Sequence, residues 1–150
     1  MHGDAHWMGR AIELAQRALE EGEVPVGAVV VHRGSVVGSG HNSTGKTGLP
    51  WDHAEMIALR EAVVSIGYRS LENSVLYSTV EPCVMCIGAV LLARVPRVVF
   101  GAREPLTGAC ESVFSIPNEP RLERRPVVTG GVEEERARAL MKAFFSRRRA

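Results

Sequence analysis

The pairing of His53-Ala54-Glu55 with Pro82-Cys83-Val84-Met85-Cys86 constrains this 150-residue chain more than any other feature. Two cysteines three residues apart lie on one face of a helix, so both sulfurs can reach one ion. The imidazole must come from a separate element about thirty residues earlier. Any fold that uses all three therefore brings two helix N-termini together. One imidazole and two thiolates hold a zinc ion with three protein ligands and leave its fourth position for water. Glu55 is too close to His53 to be a comfortable second ligand, but it can lie beside that fourth position. Three ligands and a free carboxylate suit hydrolysis rather than a closed structural site. The bland alternatives are a redox C-x-x-C or half of a structural zinc site. A structural site wants a fourth ligand, and Cys110 is the only other cysteine; as a ligand it would close the site.

The expected chemistry follows from those residue types. Zinc bound by His53, Cys83 and Cys86, one ion per subunit, lowers the pKa of a water from about 15.7 to about 7. Glu55 takes the proton; the similarity of H-x-E with P-C-x-x-C to the zinc nucleobase deaminases implies that oxygen then adds to an amidine-type ring carbon and that Glu55 delivers the proton to the ring nitrogen and on to the departing amine. Thiolate ligands favour zinc over harder ions.

Composition narrows the class. Hydrophobic content of 45% and charged content of 23% are ordinary for a globular domain. The expectation is one domain over residues 1–150, with no membrane span and no secretory signal. Three cysteines make no disulfide framework, which points to the cytoplasm. Residues 1–120 hold 9 basic and 13 acidic side chains, and residues 121–150 hold 9 and 4. A basic segment ending in Arg147-Arg148-Arg149 is either a solvated helix end or a phosphate contact.

Periodicity predicts a helix over Asp4–Glu21, strands over Val24–Val31 and Val36–Gly40 joined by a turn at 32–35, and a loop at 43–50. A helix from Trp51 or Asp52 to Ile66 follows, stopped at Gly67. Then come a strand over Ser74–Val80, a helix opened by Pro82, and a strand over Val95–Phe100. Residues 101–120 read as a long, functional or lid-like loop. A short strand at Val127–Thr129 precedes a helix over Val132–Arg148 with Leu140, Met141, Phe144 and Phe145 on its apolar side. This order predicts a mixed sheet sandwiched between helices, a three-layer α/β/α architecture.

H-x-E followed by P-C-x-x-C is the signature of zinc nucleobase deaminases, and the chain resembles the cytidine/deoxycytidylate deaminase superfamily. More narrowly, it is similar to bacterial tRNA adenosine deaminases that form inosine at the wobble position. The resemblance runs through Glu23-Val24-Pro25-Val26-Gly27-Ala28, Gly40-His41-Asn42, both zinc motifs, Gly101-Ala102-Arg103, Thr107-Gly108-Ala109 and Phe144-Phe145. It implies a cytidine deaminase-like fold with a five-stranded sheet, a homodimer, and a tRNA anticodon loop as partner. It also implies that Asn42 hydrogen-bonds a flipped base, that the Ala54 backbone contributes to the pocket, and that the Phe145 region and basic tail meet the RNA. Val26 and Glu104 are further expected substrate-side positions. The chain differs from that group at Trp51-Asp52, usually Thr-Ala, at Glu104-Pro105-Leu106, usually Asp-Pro-Lys, and at Glu123-Arg124-Arg125, usually Asn-His-Arg.

From the residues themselves, Asn42 is either a base reader, since its amide both donates and accepts, or a turn residue ending a hairpin. Trp51 either stacks on a small ring or is a packing residue at a helix start. Three functions compete. One is deamination of tRNA adenosine; the second is deamination of a free base or nucleoside of guanine, adenine or cytosine type. The third is a silent RNA-binding partner, which an intact Glu55 argues against.

Overall fold

The computed structural model describes residues 2–149. In chain order these form α1 (Asp4–Glu20), β1 (Gly27–His32), β2 (Ser35–His41), α2 (Thr44–Thr47), α3 (Ala54–Ile66), β3 (Ser74–Val80), α4 (Val84–Ala93), β4 (Arg97–Ala102), β5 (Val127–Thr129) and α5 (Glu134–Arg149). The five strands make one mixed sheet in the order β2-β1-β3-β4-β5. β1 is antiparallel to both β2 and β3, while β3, β4 and β5 run parallel.

Helices cover both faces, and strand alternation divides the core between them. Ala28, Val30, Leu76 and Val98 pack with Ala58, Leu59 and Ala62 of α3 and Val90 of α4. Val29, Val31, Tyr77 and Val99, one residue out of phase, pack with Trp7, Met8, Ala11 and Ile12 of α1. The helices lie close to the sheet because glycines face them. A Cβ on Gly27 would sit 2.0 Å from the Ala11 carbonyl, and one on Gly38 2.1 Å from that of Ala58. Asp4 ties α1 to the central strands β3 and β4, accepting from Arg97 Nη1 at 2.8 Å and Nη2 at 2.6 Å and from the Tyr77 hydroxyl at 2.8 Å.

The departures from the sequence reading have local causes. β1 starts at Gly27 rather than Val24, because Pro25 has no N–H to pair and the Val26 N–H turns back to the Val24 carbonyl at 2.9 Å. The loop at 43–50 holds the short α2, whose Gly45 and Lys46 N–H groups are capped by Glu23 at 3.0 and 2.7 Å. α4 begins at Val84, not Pro82. Pro82 and Cys83 stay extended because the Pro82 carbonyl accepts the Ala109 N–H at 2.9 Å and Cys83 bridges to Gly108. A 3₁₀ segment fills Tyr68–Asn73 before β3. On α5, Ala137 and Phe144 are buried and Phe145 points out, so the apolar side is narrower than the pattern suggested.

Candidate active site

The site lies where β3 and β4 end and two helices begin. His53 is the residue before α3 and Cys83 the residue before α4, both extended, and Cys86 falls in the first turn of α4. Two helix N-termini thus converge on one point, and their partial positive charge favours thiolate and carboxylate there. His53 Nδ1 lies 3.6 Å from Cys83 Sγ and 3.6 Å from Cys86 Sγ. Tetrahedral zinc with Zn–S of about 2.3 Å and Zn–N of about 2.0–2.1 Å puts nitrogen and sulfur about 3.6 Å apart. The donor set therefore fits zinc in both type and spacing. Among the described residues these three form the group able to hold a metal ion, their donor atoms lying within 4.8 Å of one another.

The electrostatics agree. Hydrogen bonds from Cys86 and His53 hold the Cys83 thiol down to about 4, so it is a ready thiolate. Cys86, the donor in that pair and buried, is shifted up. The His53 imidazole is shifted up by its contact with Cys83. Glu55 lies on the first turn of α3 and is 4% exposed; burial pushes its carboxyl up to about 7. A cation at the three donors draws that value back down, since opposite charge favours the carboxylate. Its burial beside the three donors places a carboxyl where a proton can be taken and returned.

A cleft of about 200 Å³ opens at the site. Of the sequence-derived positions, Val26, Asn42, Ala54 and Glu104 line it together with His53, Glu55 and Cys83. Trp51 and Phe145 do not; both are about half exposed outside it. The Arg147 and Arg148 side chains are exposed on α5, and that of Arg149 lies outside the described residues. Cys110 is buried against Ile87, Phe100 and Ala109 with its thiol pushed up to about 12, apart from the metal-donor group. Asn42 Nδ2 donates weakly to Glu23 Oε1 at 3.5 Å and to Thr44 Oγ1 at 3.4 Å.

The residue that the sequence reading passed over is Glu81, although its place beside Pro82 was a signal. It is 3% exposed. Its Oε1 accepts the Glu104 N–H at 3.1 Å, and its Oε2 accepts those of Cys110, Glu111 and Ser112 at 3.1, 2.8 and 2.9 Å. The Ser112 hydroxyl adds a further, short bond. Burial pushes its carboxyl up, but the bonds from Ser112, Glu111 and Glu104 outweigh this and hold it below the usual range. The segment at 104–112, read as a lid, is therefore latched to the end of β3, with Glu104 and Thr107 on the cleft wall. Val24, Thr44, Val80 and Met141 also line the cleft; nothing in their local pattern marked them.

A three-layer α/β/α sandwich with an imidazole, two sulfurs and a buried carboxylate around one cleft defines a metal-dependent hydrolase. Comparison with known proteins narrows the class. Residues 1–102 match the cytidine and deoxycytidylate deaminase zinc-binding region, and the chain belongs to that family. It is a zinc-dependent hydrolytic deaminase. It is 41% identical over 145 residues to a tRNA-specific adenosine deaminase of Bacillus subtilis, covering 97% of this chain and 90% of the relative. A solved structure of a tRNA:A34 deaminase acting at the wobble position matches with a TM-score of 0.85 at 36% identity, covering 90% of this chain and 98% of the other. A guanine deaminase from Nitrosomonas europaea matches with a TM-score of 0.76 at 25% identity, covering 97% and 86%.

Proposed function

We propose that this protein deaminates adenosine to inosine at the wobble position of a tRNA anticodon loop. The observation that carries the reading is the small cleft, about 200 Å³, which admits one extruded base above a three-donor metal site and a buried carboxylate. The similarity to tRNA-specific adenosine deaminases over nearly the whole chain supports the choice of substrate.

His53, Cys83 and Cys86 would hold the zinc, which supplies a water acidic enough to ionise near neutral pH. Glu55, dry and able to carry a proton, accepts it as oxygen adds to the purine C6. It passes that proton to the adjacent ring nitrogen, takes the second proton from the added hydroxyl, and delivers it to the amine, which leaves as ammonia as the carbonyl forms. Asn42, Val26, Ala54 and Glu104 orient the base, and the latched 104–112 segment keeps bulk water out. Phe145 lies one helical turn beyond Met141 of the cleft wall, and Trp51 two residues before His53. From there both, with the arginine tail, meet neighbouring nucleotides by stacking and charge. We further propose a single deaminase domain that acts as a homodimer in the cytoplasm. Exposed Val64 of α3 and Val84 and Leu92 of α4 support a partner surface, and three unpaired cysteines support a reducing compartment.

A second reading, deamination of a free base, is favoured by the guanine deaminase similarity and by Leu106, exposed next to Thr107 of the cleft wall, where the tRNA deaminase group usually has lysine. Ammonia release separates the two. The zinc protein is supplied with an anticodon stem-loop carrying wobble adenosine, and separately with free bases and nucleosides. Release from the stem-loop alone, weakening steeply with salt, supports editing; release from a free base alone overturns it.

A further inference from the structure

A second concave region lies at the opposite end of the parallel strands. The catalytic cleft sits where β3 and β4 end, whereas Val95, Pro96 and Pro126 immediately precede β4 and β5. α4 spans the distance between them, 10 residues or about 15 Å. One cavity of about 350 Å³ has an apolar wall that includes Val90, Pro96 and Pro126, flanked by Arg94, Arg124 and Arg125. An adjoining cavity of about 330 Å³ shares Glu72 and Arg94 and adds Tyr68 and Arg69.

The charge here is unbalanced. Glu72 Oε1 alone accepts from both Arg94, at 3.4 Å, and Arg124, at 3.3 Å. Arg69 and Arg125 have no carboxylate partner among the described residues; Arg69 lies over the Tyr68 ring, 5.8 Å from its centroid. Four guanidinium groups thus line the two cavities with one carboxylate, Glu72, while Glu119 lies within electrostatic reach of Arg125. The two ion pairs are half exposed, so little free energy holds them and a better acceptor can take their donors. Arg94 belongs to both cavities. It closes α4 in the left-handed region, with φ 60° and ψ 34°, where glycine is the ordinary residue. Arg33 and Glu133 share that backbone region, but Arg94 alone of the three lines both cavities.

We propose that this region is a second binding site, for a nucleotide phosphate. Arg94, Arg124 and Arg125 take the phosphate oxygens through their planar forks. The apolar wall takes the base or sugar, and Tyr68 with Arg69 offers a stacking platform for a neighbouring unit of a strand. The ligand is a free nucleotide or a stretch of RNA, and it leaves the catalytic cleft open. The inference does not depend on the substrate of that cleft.

The test is amide chemical-shift mapping of the zinc-loaded protein titrated with inorganic phosphate, AMP and a short oligoadenylate. We expect shifts at Arg94, Val95, Arg125 and Val127, with AMP binding at least tenfold tighter than phosphate. Arg94→Gly relieves the backbone strain, so it folds at least as well as the parent. Together with Arg125→Ala it should weaken AMP or oligoadenylate binding at least tenfold and leave basal ammonia release unchanged. Equal affinity for AMP and the oligonucleotide identifies a free-nucleotide site; preference for the oligonucleotide identifies a strand site. No shifts at this end, no gain from adenosine over phosphate, or binding indifferent to both substitutions overturns the proposal.

Discussion

Replacing Glu81 by glutamine tests how the cleft wall is held. The side chain keeps its shape, but one carboxylate oxygen becomes an NH₂ group facing N–H donors. Oε2 alone accepts three backbone N–H groups, and Oε1 accepts Glu104 N–H and the Ser112 hydroxyl. Whichever way the amide turns, at least one backbone donor loses its partner and the rest lose a charged acceptor. An unsatisfied buried donor costs about 1–3 kcal/mol, and a bond to a charged group is worth about 1.5–3 kcal/mol. Bonds sharing one atom do not add fully, so we expect about 3 kcal/mol in total, equivalent to roughly 150-fold in equilibrium. The loss should be local first. Amide exchange at Glu104, Cys110, Glu111 and Ser112 should accelerate on the order of 100-fold, and urea unfolding should report the global share. The same latch should weaken in acid. Its folded pKa lies below the ordinary 4.5, so its stabilisation is complete above that value and is lost as pH falls through the folded pKa. Exchange unchanged at those four amides, with an unfolding difference under about 0.5 kcal/mol, would refute the account of Glu81 as the latch.

Glu55→Gln should lower kcat by about 10²–10⁴ while zinc content, measured by mass spectrometry, stays at one ion per chain. Cys86→Ala should abolish that stoichiometric zinc and with it activity; retained metal would mean another ligand set. Asp4→Asn should cost about 1–2 kcal/mol by breaking a partly exposed, two-pronged contact with Arg97. Arg97 holds the Asp4 carboxyl below 3.8, so this deficit in thermal stability should be full above that pH and shrink as pH falls through the lowered value. Gly27→Ala should destabilise by about 3 kcal/mol or more, since its methyl must displace the α1 backbone from 2.0 Å away.

Most of the architecture was legible because two periodicities are strong here. Val29, Val30 and Val31 lie in a buried strand, and Met8, Ala11, Ile12 and Ala15 recur at helical spacing, so β1 and α1 announce themselves. The metal donors were legible because their chemistry requires particular residue types at fixed spacing. What escaped depended on contacts far along the chain. Pro82 looked like a helix opener until Ala109 and Gly108 claimed Pro82 and Cys83 as extended backbone. The segment at 101–120 looked loose because its hydrogen-bond acceptor, Glu81, lies more than twenty residues upstream. Phe144 and Phe145 were indistinguishable as letters; only the rotation of α5 against the sheet puts the first inside and the second in water. The cleft wall mixes Val24, Thr44, Thr107 and Met141, which no local rule groups together.

His53 and Cys83 occupy the positions that precede α3 and α4, and neither makes a side-chain capping bond to its helix. Those positions ordinarily go to Ser, Thr, Asp or Asn, whose oxygens anchor the first free N–H groups. In this protein they are given to metal ligands instead, so one bound ion would tether the starts of both helices. The chemistry then rests on the segments of a helix most prone to fray, with Glu55 and Cys86 in the very turns at stake. Metal loading and the ordering of these turns become one equilibrium. A chelator should act on this enzyme as a local denaturant, loosening α3 and α4 from the catalytic end while leaving the strands beneath them intact.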